Sequence, residues 1–233
     1  MPLAGKAMLL TSMDIDSADE AEFNRWYDRE HLEERVAIDG FLEARRYVAH
    51  HLAPAAPGTK PPPKYLCLYS TASFDVLGSP TYRKVLANPT AWSTSTMARF
   101  KNMIRAVARI TISRGTGRGA AIGVVRLRPT AAGKDELRAA LRKALDPSGL
   151  DGIISMHLIE SDPQLSRPIT DDPSAINPGA GDWFVLIEGT AVNAVAAAMA
   201  ARLRDGSALK SAVVSTGVYS LMWDLAKSDI RAV

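Results

Sequence analysis

Along this chain, short apolar runs with β-branched members alternate with stretches whose apolar residues recur every three to four positions. The runs predict strands at 6–13 (KAMLLTSM), 41–50, 64–71 and 105–113, and again at 119–128 (GAAIGVVRLR), 153–161, 183–190 and 216–225. The periodic stretches predict helices at 18–31, at 80–103 with a break near Pro89, at 132–145 and at 191–204. Asp16 or Ser17 and Thr130 are the caps expected ahead of the helices at 18 and 132. In ELRAALRKAL, Leu137, Leu141 and Leu145 stand four apart on one face. On the helix that starts at 18, a regular step of roughly 100° per residue carries Leu32 and Val36 away from the Phe23 face. That helix is therefore expected to end near His31.

Three breaks punctuate the pattern, at 51–63 (HLAPAAPGTKPPP), 113–119 (SRGTGRG) and 162–181. Proline lacks an N–H and fixes φ, so the first and third read as long loops, and the glycine-rich second as a linker. The two loops occupy the same place in a duplicated unit. DGFLEARRYVAH from Asp39 precedes one and DGIISMHLIES from Asp151 the other; KYLCLYSTAS from Lys64 and DWFVLIEGTA from Asp182 follow them. The order β-α-β-β-α-β thus occurs twice, which predicts an α+β fold of two tandem ferredoxin-like (βαββαβ) units, 1–114 and 119–233. Their antiparallel sheets would pack face to face as an α+β barrel, burying the apolar faces that the helices leave open. Whether the sheets meet within one chain or between two is left open.

The unusual side chains gather in the first unit, in AEFNRWYDREHLEERVAIDGFLEARRY from Ala21 to Tyr47. Around the helix, Phe23, Trp26 and Tyr27 make an aromatic face, Asn24 and His31 border it, and Glu30 lies within it. Polar groups buried there need partners. Arg45 and Arg46 arrive on the next strand, where neighbours point to opposite faces, so one of the two can reach Glu30. One reading is structural: a Glu30–arginine pair locks helix to strand, and His31 sits at a helix C-terminus that favours positive charge. The other is a cleft between helix 18–31, its sheet and the region of Trp92. There His31 would be the acid/base, Tyr27 and Asn24 would position a substrate, Trp26, Glu30 and Trp92 would bound it, and Arg46 would offset developing negative charge.

These residues carry a resemblance. EFNRWYDREHLEERVAIDGFLEARRY is similar to the signature of the dimeric α+β barrel superfamily, especially its EthD-like members, through Trp26-Tyr27, Glu30-His31-Leu32, Gly40-Phe41 and Arg45-Arg46-Tyr47. SPTYRKVLANPTAW, Ser79 to Trp92, also resembles a segment of such proteins. The resemblance covers the first half; the second lacks the WYxxEH run and is similar in expected fold alone. It implies a cleft for small, often aromatic or polyketide-like molecules, in a superfamily of cofactor-independent monooxygenases, cyclases, lactone isomerases, aldoxime dehydratases and haem-dependent peroxidases. The expected function is binding of a small, partly apolar organic compound, with cofactor-independent catalysis as its sharper form. The alternatives are a non-catalytic binding or assembly module, its cleft filled by its own side chains, and a haem-binding protein. A homodimer is compatible with this family.

Composition removes other classes. With 233 residues, 47% hydrophobic, 23% charged and a net charge of +3, the chain reads as a globular protein without the dense basic face that nucleic acid requires. RNA recognition would use the third strand, where Tyr65 and Tyr69 stand, but the counterpart from Asp182 carries acids. Ala-rich 191–201 is too short to cross a bilayer, and Asp14, Asp16, Asp19 and Glu20 interrupt the opening apolar run, so no membrane partner is expected. The single cysteine, Cys67, excludes an intrachain disulfide and fits a cytoplasmic location. His50 and His51 diverge on a strand end and His157 is expected to bond a neighbour, so no metal site is anticipated. GTGRG lies between two strands rather than opening a helix, unlike a dinucleotide fingerprint.

Overall fold

The computed structural model describes residues 5–54, 61–168, 177, 179–202 and 212–230. The strands are β1 (Ala7–Asp14), β2 (Phe41–Pro54), β3 (Tyr65–Thr71), β4 (Lys101–Gly115), β5 (Ala121–Leu127), β6 (Ile153–Ser161), β7 (Trp183–Gly189) and β8 (Val213–Ala226). The helices are α1 (Glu20–Trp26), α2 (Leu32–Val36), α3 (Pro80–Ala87), α4 (Ala91–Met97), α5 (Lys134–Ala144) and α6 (Val192–Arg202). All eight strands close into one antiparallel barrel, in the order β1-β3-β2-β8-β5-β7-β6-β4. The strands of residues 7–115 run β4-β1-β3-β2 and those of 121–226 run β8-β5-β7-β6. The β2–β8 and β4–β6 ladders join the two sets, so the sheets meet within one chain.

Strand alternation divides the apolar residues into three bodies. Met8 and Leu10 of β1 point into the barrel with Leu66, Leu68, Phe184 and Leu186, while Leu9 and Met13 point outward under the first helices. A separate outer layer packs α5 and α6 on the other half. Because both faces are covered, β1 and β3 read as continuous apolar runs rather than clean alternation. Each large aliphatic side chain sealed this way contributes about 1.5–3 kcal/mol. The interior also holds charge. Arg45 Nη1 donates to both Glu188 oxygens at 2.8 and 2.7 Å, and Arg45 Nη2 and Glu188 Oε2 engage the Gly119 carbonyl and N–H. This satisfied pair ties β2 to β7 across the barrel.

Three expectations change. The first helix does not end at His31: a π-turn over Tyr27–His31 follows α1, with Leu32 N–H bonded to the Tyr27 carbonyl five residues back, and α2 continues. The extra residue turns the face by roughly 100°, which brings Leu32 and Val36 inward to 0% exposure. The helix over 80–103 breaks near Pro89 as expected, with Ser79 and Thr90 capping α3 and α4 through the Tyr82 and Ser93 N–H groups, but it ends early: α4 stops at Met97 and β4 already begins at Lys101 rather than 105. Third, Glu30 meets neither arginine, because Arg45 faces the barrel interior and Arg46 is engaged elsewhere on the helix.

Candidate functional site

Between the outer face of β1, β3 and β4 and the helices lies a cavity of about 80 Å³. Its apolar walls come from Leu9, Met13, Leu86, Met97, Phe100 and Met103. Trp26, Tyr27 and His31, all named by the sequence, line it; Thr11, Arg35, Tyr69, Tyr82 and Arg105 also line it and were not foreseen. The π-turn places His31 here. Its ring stacks on Trp26 at 4.1 Å and 27°, and meets Tyr27 edge-on at 5.1 Å. Burial, reinforced by the positive charges of Arg35 and Arg46, holds the His31 pKa well below its ordinary value, so the imidazole is neutral.

Polar atoms on four of these residues are buried without a hydrogen-bond partner: Thr11 Oγ1, His31 Nδ1, Arg35 Nη1 and Tyr69 Oη. The carboxylate beside them, Glu34, stays 3.9 Å from His31 Nδ1 and 3.7 Å from Arg35 Nη2. Each such group left dry costs about 1–3 kcal/mol, more when charged, so four around one small cavity, two from the sheet and two from the helices, are exceptional for a plain core. Burial also pushes the Tyr27 and Tyr69 hydroxyls up in pKa, keeping both protonated; Tyr69 Oη has no partner, and Tyr27 Oη holds a weak bond to Met13 Sδ at 3.7 Å that a better acceptor would replace. The arrangement offers a neutral imidazole, a guanidinium and two phenols to one oxygenated guest. Cys67 on the same sheet is an inert thiol, pushed up to about 12 by burial.

Four expected residues stand outside the cavity lining. Arg46 lies beneath α1, donating to Asn24 Oδ1 at 2.5 Å and Asp28 Oδ1 at 3.1 Å, with its guanidinium 4.2 Å from the Tyr27 ring. Asn24 and Arg46 therefore brace Tyr27 from behind, and the cations at the cavity are Arg35 and Arg105, the latter tied through Nη1 to the Leu165 carbonyl at 2.5 Å. Glu30 Oε1 accepts from Trp26 Nε1 at 3.1 Å, Thr90 Oγ1 at 2.6 Å and Ser93 Oγ at 3.1 Å, fastening α4 over the helix. Trp92 donates to Glu22 at 2.8 Å and packs under Arg25 at the outer surface. Arg35 escaped the sequence reading because an unbroken α-helical phase gave no reason to bring the segment after His31 back to the sheet; the helix period alone carries no signal for a π-turn. Thr11 and Tyr69 sit in runs that read as ordinary core.

Neither His31 nor His157 is placed to hold a haem. The cavity beside His31 is far smaller than a porphyrin and would have to open widely. His157 is inside the barrel with both ring nitrogens bonded, to Ser113 Oγ at 3.0 Å and Ser155 Oγ at 2.9 Å. Among the described residues no three His, Cys, Asp or Glu converge as metal ligands, and no helix is long and apolar enough to cross a membrane.

The closed eight-strand barrel with outer helices defines the α+β barrel class. No family model matches the sequence, and no curated protein matches it. Among solved structures, an anthrone oxidase-like protein superposes with a TM-score of 0.63 at 10% identity, over 98% of this chain and 96% of that one. A proposed monooxygenase from Lactobacillus acidophilus gives 0.53 at 9% identity, over 96% and 97%. A mutant chlorite dismutase from Candidatus Nitrospira defluvii gives 0.51 at 10% identity, over 94% and 92%. At these identities the likeness is one of fold.

Proposed function

We propose that this protein binds a small, largely apolar compound carrying one oxygen in the His31 cavity, and acts on it by acid/base chemistry without a cofactor. The observation that carries this reading is the convergence of four partnerless buried polar atoms on one apolar cavity. His31, kept neutral by burial and two guanidiniums, is a weak base, so it accepts the compound's proton only as negative charge appears on the compound beside it. The oxygen that gains negative charge is met by Arg35, with Tyr69 and Tyr27 as donors, so charge develops against dipoles already in place. Met97 and Met103, unbranched and pliable, are the walls that yield to a guest larger than the present space. An anthrone, the compound class in the name of one structural neighbour, has the required features: fused apolar rings, one carbonyl, and a ring CH2 whose proton loss places charge on that oxygen. A monooxygenase-like or EthD-like role is the family-level form of this reading.

The same proposal takes the chain as two tandem ferredoxin-like units, 1–114 and 119–233, with the cavity in the first. The repeated strand order supports it, as do Gly40 and Gly152. These occupy equivalent Asp-Gly turns before β2 and β6 with φ of +85° and +74°, where a Cβ at Gly40 would stand 2.4 Å from Val76.

The test pairs binding with folding. Titrate 1-naphthol calorimetrically into the wild type, His31→Ala and Arg35→Gln, and record thermal unfolding of each. Oxygen uptake with anthrone reads turnover, dissolved O2 being the oxidant that takes the deprotonated ring carbon from CH2 to C=O with release of one water. Weakened binding and lost turnover in variants that still fold support the assignment. Lower stability with unchanged naphthol affinity defeats it, and binding without turnover leaves the non-catalytic module.

A further inference from the structure

A second, larger cavity of about 380 Å³ opens at one end of the barrel. Its lining is apolar at Pro61, Pro62, Pro63, Met103, Ile104 and Val214 and polar at Arg126, Arg128 and Ser215. Arg126 continues the inward row of Ile122 and Val124 on β5, and Arg128, two residues on, reaches the same side. Behind them stands Asp182, only 2% exposed. It accepts from Arg126 Nε at 2.5 Å and from Arg128 Nε and Nη2 at 2.7 and 2.8 Å. One buried carboxylate thus holds two guanidiniums side by side, and 2 − 1 leaves one positive charge at the wall.

Among the described residues no carboxylate lines this cavity. Asp14 on β1 is already bonded to the Lys64 N–H and Asn102 Nδ2, each at 2.8 Å. Asn177, also on the wall, spends its amide on the Arg105 and Ser166 carbonyls and its oxygen on the Gly179 N–H, so it builds the rim. The space falls within the roughly 300–1,000 Å³ of small-molecule sites. Guanidiniums whose positions are fixed in advance favour a planar carboxylate, and the proline–methionine lining favours an apolar body. We propose that this barrel-end cavity is a binding site for an organic acid, an apolar body bearing one carboxylate seated across Arg126 and Arg128. The site shares Met103 with the His31 cavity but none of its polar groups, and it does not depend on the function assigned there.

Benzoate is the probe, titrated calorimetrically against benzyl alcohol, which lacks the charge, and inorganic phosphate, which lacks the apolar body. Benzoate is expected to bind saturably, and the other two about tenfold more weakly or less. Arg128→Gln should weaken benzoate about tenfold, Arg128→Lys should recover part of the loss, and His31→Ala should change nothing. The Arg128 side chain is 51% exposed, so these variants are expected to fold, which thermal unfolding checks. Equal benzoate affinity in wild type and Arg128→Gln, or absence of saturable binding, overturns the site. Phosphate binding as tightly as benzoate overturns the organic-acid class, and loss of benzoate binding in His31→Ala moves the ligand to the other cavity.

Discussion

The two helix layers rest on sheet segments with the same strand order, yet they pack differently. Over β4-β1-β3-β2, the contacts are made largely by rings: Phe23 against Tyr27 at 5.0 Å and against Tyr65 at 4.9 Å, Trp26 against His31, Phe41 against Tyr82 at 5.4 Å. Rigid planes meeting at steep angles leave gaps that cannot be closed by small rotamer changes, and here the gap carries polar atoms. Over β8-β5-β7-β6, α5 and α6 lay Leu137, Leu141, Leu145, Val195 and Met199 onto Val125, Leu158, Val185 and Ile187. Branched aliphatic chains interdigitate to the density of an organic crystal. The sheet therefore supplies a platform twice, and the helix side chains decide what kind of space forms on it: the cavity of about 340 Å³ between α6 and β8 is lined by Ala196, Met199, Ala200 and Val218 and, among the described residues, carries none of the partnerless buried polar atoms found around His31. The backbone contributes as well: α5 is regular, whereas α1 and α2 are joined through a π-turn that swings His31 and Arg35 inward.

The sharpest test of this contrast is Leu141→Ala against Leu86→Ala. Leu141 is sealed at 0% exposure, and its truncation should cost about 3 kcal/mol in urea unfolding; Leu86 borders existing space, so its loss should cost distinctly less. Equal losses would break the comparison.

Acid comes next. His157 is lowered to about 3 by burial first and Arg45 second, while the unfolded chain binds that proton near ~6.5. A depressed pKa means that the unfolded state takes up more protons below ~6.5, so this contribution is full above that pH and is lost as pH falls toward about 3. By pH ~5 the loss is about 2 kcal/mol. Thermal unfolding from pH 7 to 5 should show it, and His157→Gln should flatten the slope, leaving the part that comes from His31, which is lowered in the same direction.

A smaller effect has an unusual sign. Tyr69→Phe removes a buried hydroxyl that has no partner, so stability should stay level or rise by up to about 1 kcal/mol while 1-naphthol affinity falls. Substantial destabilisation would show that the hydroxyl serves the core. The smallest effect concerns Cys67, whose thiol should resist a soluble disulfide reagent in the folded protein and react on unfolding.

The fold was largely legible. Eight apolar runs and the Pro-rich breaks placed every strand of the barrel, because strands covered on both faces leave a strong compositional mark. Of the residues that line the candidate cavity, Trp26, Tyr27 and His31 had been named from their unusual chemistry on one helix turn. Asn24, Glu30, Arg46 and Trp92 were placed on the correct elements but not on the cavity, since a helical phase says which way a side chain starts and not which partner takes its polar end.

What the amino-acid order determined by itself was local: which segments become strand or helix, and which turns need a left-handed glycine. Those outcomes follow from periodicity and backbone sterics acting over a few residues. Tertiary structure decided the rest: Arg45 on Glu188, two arginines on Asp182, and Arg35 beside Thr11 and Tyr69. Each of these depends on where distant strands come to lie and on a single π-turn, so the charges and cavities on which the proposed function rests exist only once the barrel has closed.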